Sequence, residues 1–169
     1  ILFNLNILNS LAGPLTVTSA KGKNEYKKAY FAGGCFWCME ESFDKVKGVV
    51  KSISGYSGGH VKNPTYKQVI YKDTGHVEAI AVYYDPKLTN YEELLKVFWV
   101  NIDPFDANGQ FCDKGKSYRS VAFYQNIQQK KLIENSITSI EKKLNKKKIV
   151  TLVWEFEKFY PAEDYHQDY

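Results

Sequence analysis

From Lys28 onward the chain alternates short strand-like segments with helical ones, and that alternation restricts the fold most. Tyr30-Phe31-Ala32 reads as a strand closing at Gly33-Gly34, and Cys35 to Val46 as a helix with Phe36, Met39, Phe43 and Val46 on one face. Val49 to Tyr56 is β-rich, and Val77 to Tyr84 is a second strand stopped by Asp85-Pro86. Thr89 with Glu92, or Asn90 with Glu93, offers a capping box for a helix carrying Leu94, Leu95 and Phe98. Tyr118 to Tyr124 reads as a strand, Ile133, Ile137, Ile140 and Leu144 as an amphipathic helix, and Ile149 to Phe156 as a last strand. The order β-α-β-β-α-β, then α-β, predicts an α+β fold: a ferredoxin-like two-layer sandwich with helices against a mixed, mostly antiparallel sheet.

Two stretches stand outside this scheme. Gly58 to Gly75 and Asn101 to Ser117 are long and rich in Gly, Asn, Asp and Pro, and both carry aromatic and acidic residues. Loops of that length within a domain are usually functional or disordered, and these side chains favour function. At the other end, Ile1 to Ala20 holds no charged residue, and Thr18-Ser19-Ala20 before Lys21 resembles a signal-peptidase site. Residues 1–27 therefore read as an N-terminal arm or an export-signal remnant, and 28–169 as one domain. The compartment stays open between the cytoplasm and an exported location.

The 169 residues suffice for a real core without disulfide staples. The net charge of +4 is mild, and much of the excess lies in the run from Glu141 to Lys148, which reads as the wet face of a helix. There is no basic stripe with interleaved aromatics to meet a nucleic acid, and no apolar run long enough to span a membrane. Three cysteines cannot all pair within one chain: Cys35 and Cys38 form a C-x-x-C, and Cys112 stands alone. The pattern points to reactive thiols or metal ligands.

Cys35 follows Gly33-Gly34 at the first turn of a predicted helix, where backbone N–H groups lack partners. Those groups and the helix dipole favour an anion, so the thiol pKa is expected to fall. Phe36 and Trp37 offer an apolar cup beside the sulfur. The bland alternative is a buried, inert cysteine at a strand end.

The segment Gly34-Cys35-Phe36-Trp37 resembles the G-C-F-W signature of A-type methionine sulfoxide reductases, and the match continues in register. Gly55-Tyr56-Ser57-Gly58-Gly59, Asn63-Pro64-Thr65-Tyr66 and Thr74-Gly75-His76-Val77-Glu78 resemble the family's next motifs. Gly109 to Gly115 stands where the family often has Q-G-N-D-x-G, followed by Tyr118-Arg119-Ser120 and Ala162-Glu163-Asp164-Tyr165-His166-Gln167. The likeness covers essentially Lys28 to Tyr169.

The resemblance implies thiol-dependent reduction of methionine S-sulfoxide, peptide-bound or free, with Cys35 as nucleophile and repair of oxidised proteins as the role. It implies Glu78 as the acid, Tyr66 and Tyr118 as donors to the sulfoxide oxygen, and Asp113 as an orienting or polarising group. Phe36 and Trp37 would cradle the S-methyl group, with His166 beside them. Read without the motif, Glu78 is a solvated strand-end carboxylate and His166 a surface residue. The resemblance also implies a Cys35 sulfenic acid, a disulfide with a second thiol, and recycling by thioredoxin, with an external dithiol as reductant, no bound cofactor and no metal. Many members keep resolving cysteines in a C-terminal tail. For a chain that runs to Tyr169, the expectation is either a piece of a fusion with a B-type reductase or resolution by Cys38 or Cys112, with Cys38 favoured because i and i+3 share a helix face. Two other classes compete. A thioredoxin-like oxidoreductase usually has small residues or Pro, not Phe-Trp, between its thiols. A Cys₃His zinc module, built from the three cysteines with His60, His76 or His166, lacks a second paired ligand motif.

Overall fold

Alternate residues of β1 (Lys27–Gly33) serve two separate cores: Ala29 and Phe31 join one apolar cluster, Tyr30 and Ala32 another. β3 (Val77–Tyr84) divides in the same way, with Ile80 and Val82 on one face and Ala79 and Ala81 on the other. Both strands are apolar almost throughout because both of their faces are covered. In this computed structural model, which describes residues 25–145 and 147–168, they are the central pair of a six-stranded sheet.

The remaining strands are β2 (Val49–Ser57), β6 (Ser120–Tyr124), β7 (Leu152–Glu155) and β8 (Phe159–Pro161), and the order is β7-β6-β1-β3-β2-β8. Every pairing is antiparallel except β6 with β7. That parallel pair needs a crossover, and the 17 residues of α4 (Ile127–Lys143) supply it. Among the described residues the fold is thus α+β, with a mixed sheet and four helices, the others being α1 (Phe36–Asp44), α2 (Tyr66–Tyr71) and α3 (Tyr91–Val100).

Helices α1, α3 and α4 cover one face, where Phe31 stacks on Phe43 and Phe98 with ring centroids 5.2 and 5.1 Å apart. The opposite face is closed by C-terminal aromatics: Phe156 stacks on Tyr30 at 3.7 Å, and Trp154 and Phe159 pack beside it. Of the two capping boxes open to α3, the Asn90 side chain forms the cap, accepting the Glu93 N–H at 3.0 Å. The two irregular stretches hold short elements of their own. The first contains α2, started by a complete Thr65–Gln68 capping box, and the second a hairpin of β4 (Gly109–Gln110) and β5 (Asp113–Lys114). β8 adds an edge that the alternation does not announce.

After β8 the chain is latched back onto β2. The Ala162 N–H donates to the Ser54 carbonyl at 2.9 Å, and the Gln167 amide both accepts from the Ser54 N–H and donates to its carbonyl at 3.0 Å. Glu40 of α1 accepts the Asp168 N–H at 3.2 Å and also holds the Ser54 hydroxyl. This latch carries His166 to the start of α1. Residues 1–24 of the expected N-terminal arm lie outside the described residues. Among the described residues no helix is long and apolar enough to cross a membrane.

Candidate active site

β1 ends against α1 in a turn that only glycine fits. Gly34 has φ +83°, and a Cβ there would lie 2.6 Å from Cβ of Gln110, so the β4–β5 hairpin packs directly on the turn. Cys35 follows as the N-cap of α1 with its side chain half-buried. The N–H groups of Trp37 and Cys38 lie toward the sulfur, too loosely for a formed cap hydrogen bond, and they favour its ionisation. The expected fall in pKa nevertheless does not occur. Burial outweighs those N–H groups, the charges of Cys38 and Glu78 add to it, and the thiol is pushed up to about 11. In the resting site Cys35 is a thiol.

Glu78, near the start of β3, is 2% exposed and points to the helix-covered face, where it accepts the Phe36 N–H at 3.1 Å. Burial is the main reason its carboxyl is raised to about 7; the Phe36 N–H opposes the shift, the Asp113 charge adds to it and Tyr118 opposes it. A carboxyl so placed still carries a proton in a large fraction of molecules at neutral pH. The solvated-carboxylate reading of Glu78 is therefore wrong. Tyr66 opens α2, and Tyr118 ends a 3₁₀ turn (Lys116–Tyr118) just before β6. Their hydroxyls lie close enough to act on each other, and burial, the largest cause in both, raises the pKa of both phenols. Asp113, on β5, acts on Glu78 and Tyr118 through its charge. The two irregular stretches thus bring Tyr66 and Asp113 within electrostatic reach of Glu78.

Phe36 forms the floor of an aromatic cup. Its ring lies 6.1 Å from Trp37, 6.4 Å from Tyr66 and 5.1 Å from His166. His166 is buried rather than on the surface, 4.6 Å from the Tyr66 ring and 5.4 Å from Trp37. Among the described residues neither of its ring nitrogens has a hydrogen-bond partner, and burial lowers its pKa against the pull of Glu163. Cys38 is exposed on the first turn of α1, and Cys112 is exposed at the tip of the β4–β5 hairpin. Among the described residues no three His, Cys, Asp or Glu side chains gather to hold a metal ion. Of the other histidines, His76 is fully committed to structure: Nδ1 accepts the Gly59 N–H at 3.1 Å and Nε2 donates to the Val61 carbonyl at 2.8 Å.

Sequence reasoning passed over three residues that build the site. Gln110 is buried and bonded to the Asp103 backbone in both directions, at 2.7 and 2.9 Å, which fixes the hairpin against Gly34. Tyr56 lines the cup 6.0 Å from Phe36, and its hydroxyl donates to Glu163. Glu163 and Tyr56 each stood inside a quoted motif, but nothing in their spacing tied one to the other.

The chain is similar to known proteins along most of its length. The family model described as peptide methionine sulfoxide reductase matches residues 27–169. A peptide methionine sulfoxide reductase MsrA of Listeria monocytogenes is 52% identical over 148 residues, covering 87% of this chain and 84% of the relative. A protein of Vibrio cholerae named peptide methionine sulfoxide reductase MsrA/MsrB is 48% identical, and its match covers 92% of this chain and 41% of its own length. Among solved structures, methionine sulfoxide reductase A of Corynebacterium diphtheriae superposes with a TM-score of 0.77 at 28% identity, over 88% of this chain and 75% of that one.

Proposed function

The chain belongs to the peptide methionine sulfoxide reductase family, an enzyme of the A type, and from that premise we propose that it reduces methionine S-sulfoxide, peptide-bound or free, at Cys35. The observation that carries the mechanism is the pairing of the half-buried Cys35 with a buried Glu78 whose carboxyl titrates near neutrality, at the mouth of an aromatic cup. A sulfoxide sulfur is a poor electrophile until its oxygen is protonated or hydrogen-bonded. With the methyl group between Phe36 and Trp37, the oxygen meets the Tyr66 and Tyr118 hydroxyls, and Glu78 delivers its proton to it. Asp113 adds negative charge that keeps the Glu78 proton in place. The Cys35 sulfur attacks as it loses its own proton, which returns Glu78 to the acid form. Methionine leaves, and the oxygen stays on Cys35 as a sulfenic acid.

Cys38 then condenses with the sulfenic acid, forming a Cys35–Cys38 disulfide and releasing water. Cys38 is the favoured resolving residue because it is exposed and three residues away on the same helix start. Cys112, in the hairpin, is the alternative. A dithiol protein of the thioredoxin class reduces the disulfide, giving up two electrons and two protons and becoming a disulfide itself. The biological substrates are oxidised proteins or free methionine sulfoxide. The name of the Vibrio relative supports association with a B-type domain as a further part of the reading. The strand order β6-β1-β3-β2, antiparallel throughout, with α1 and α3 as crossovers, supports a ferredoxin-like core within the larger sheet.

The test is single-turnover reduction of the two epimers of a methyl sulfoxide without reductant, followed by disulfide mapping. The expected result is conversion of the S epimer alone, none with Cys35→Ser, one turnover with Cys38→Ser, and a Cys35–Cys38 bridge in the wild type. Turnover by Cys35→Ser removes the nucleophile assignment, and a Cys35–Cys112 bridge transfers the resolving role to the hairpin.

A further inference from the structure

Tyr66 is the first residue of α2, a helix of only six residues that is too short to be stable alone. The position of its hydroxyl therefore depends on what holds the start of that helix. Thr65 caps the Gln68 N–H, which leaves the Tyr66 N–H to find another acceptor. It finds Glu163, from the far end of the chain, whose Oε1 accepts it at 2.9 Å. The other oxygen, Oε2, accepts the Tyr56 hydroxyl at 2.8 Å.

One carboxylate therefore ties α2 to β2 and to the C-terminal turn. Its two partners are both donors, and an acceptor-only anion satisfies both at once. Burial works against the charge, but the Tyr66 N–H, the backbone N–H of Glu163 itself, the Tyr56 hydroxyl and the His166 charge hold the carboxyl below the ordinary value. The same turn points His166 at the Tyr66 ring, because the His166 N–H donates to the Glu163 carbonyl at 2.9 Å.

We infer that Glu163 is a positioning residue for the reduction: it touches no substrate and acts by fixing the Tyr66 hydroxyl over the Cys35 cup. This rests on the reductase reading given above. Removing the carboxylate leaves the start of α2 without its acceptor, and small displacements of oxygen donors are costly in a site that works by orientation.

The experiment is a double-mutant cycle on single-turnover reduction of a methyl sulfoxide, with Glu163→Ala, Tyr66→Phe and both together, alongside denaturation midpoints. Glu163→Ala is expected to slow the chemical step about tenfold with little change in KM. The double variant is expected to be no more than about twofold slower than the slower single one, because the two residues act as a unit. Glu163→Gln keeps an oxygen for the Tyr66 N–H and an amide for the Tyr56 oxygen, so it should recover most of the rate. Should Glu163→Ala not fold, the cycle is run with Glu163→Asp, which shortens the reach, under the same expectation. Independent, multiplicative effects, or an unchanged rate in the single variant, overturn the inference. A wild type inactive on either epimer instead overturns the reductase reading, so the two failures are distinguishable.

Discussion

Glu78→Gln separates the two consequences of burying a carboxylic acid. In the folded protein, burial against the opposing Phe36 N–H raises this carboxyl from 4.5 to about 7. At about 1.4 kcal/mol per pKa unit, that is a bias of about 3 kcal/mol toward the protonated form. The folded-state pKa lies above the unfolded one, so the stability linked to this proton is fully present below about pH 4.5. It declines as pH rises toward 7 and is lost above that. The variant cannot ionise, and its amide oxygen can still accept the Phe36 N–H. Urea denaturation in excess dithiothreitol, from pH 4.5 to 8.5, should show wild type and variant diverging by about 3 kcal/mol in the variant's favour, with the change falling between pH 4.5 and 7.5. Groups common to both proteins cancel in the difference. The same variant should lose about 10²–10⁴-fold in single-turnover reduction, the usual worth of a general acid. A stability difference that stays flat across this range would refute the burial argument. A variant that reduces sulfoxide at the wild-type rate would remove Glu78 from the chemistry.

Alkylation of Cys35 in a Cys38→Ser/Cys112→Ser background should titrate well above the ordinary thiol value of 9, and a midpoint below it would show that the helix start outweighs burial. Gly34→Ala forces a side chain into positive φ and against Gln110; it should destabilise by about 1–3 kcal/mol in thermal or urea denaturation and displace the hairpin carrying Asp113, and a neutral result would contradict the packing described. Tyr91→Phe removes a buried hydroxyl that donates to the Phe123 carbonyl at 2.9 Å, so it should cost about 1–2 kcal/mol while leaving sulfoxide reduction unchanged; equal stability would mean the carbonyl finds another donor.

The β-α-β-β-α-β half of the fold was legible because β1 and β3 are runs of mostly apolar residues and α1 and α3 carry an apolar face, all of which their burial reproduces. Val77–Tyr84 was read to the residue. α2 was missed because six residues hold too few turns to show a period, and its signal lay in the Thr65–Gln68 cap. β8 was missed because Phe159-Tyr160-Pro161 is as short as a loop and becomes a strand only through its pairing with β2. At the site, Cys35, Phe36 and Trp37 could be placed together from their adjacency, and the family's motifs supplied Glu78, Tyr66 and Tyr118. The sign of the Cys35 shift could not be read, since it depends on how deeply the sulfur lies, and no local pattern encodes depth. Glu163 illustrates the same limit: its partners are 97 and 107 residues away along the chain.

The latch that carries His166 is made largely of hydrogen bonds to Ser54 and Glu40, whereas β1 and β3 are sealed on both sides by side chains. Segments held in that way open by local fluctuation at a free energy below that of global unfolding. The aromatic cup can therefore come apart while the sheet stays intact, and the amides of Ser54, Ala162 and Asp168 exchange with deuterium ahead of those of Phe31 and Ile80. A molecule seated between Phe36, Trp37 and His166 binds only the closed form and slows that exchange in proportion to its occupancy. The end of the chain thus becomes a gauge of whether the cup is filled, readable without any turnover.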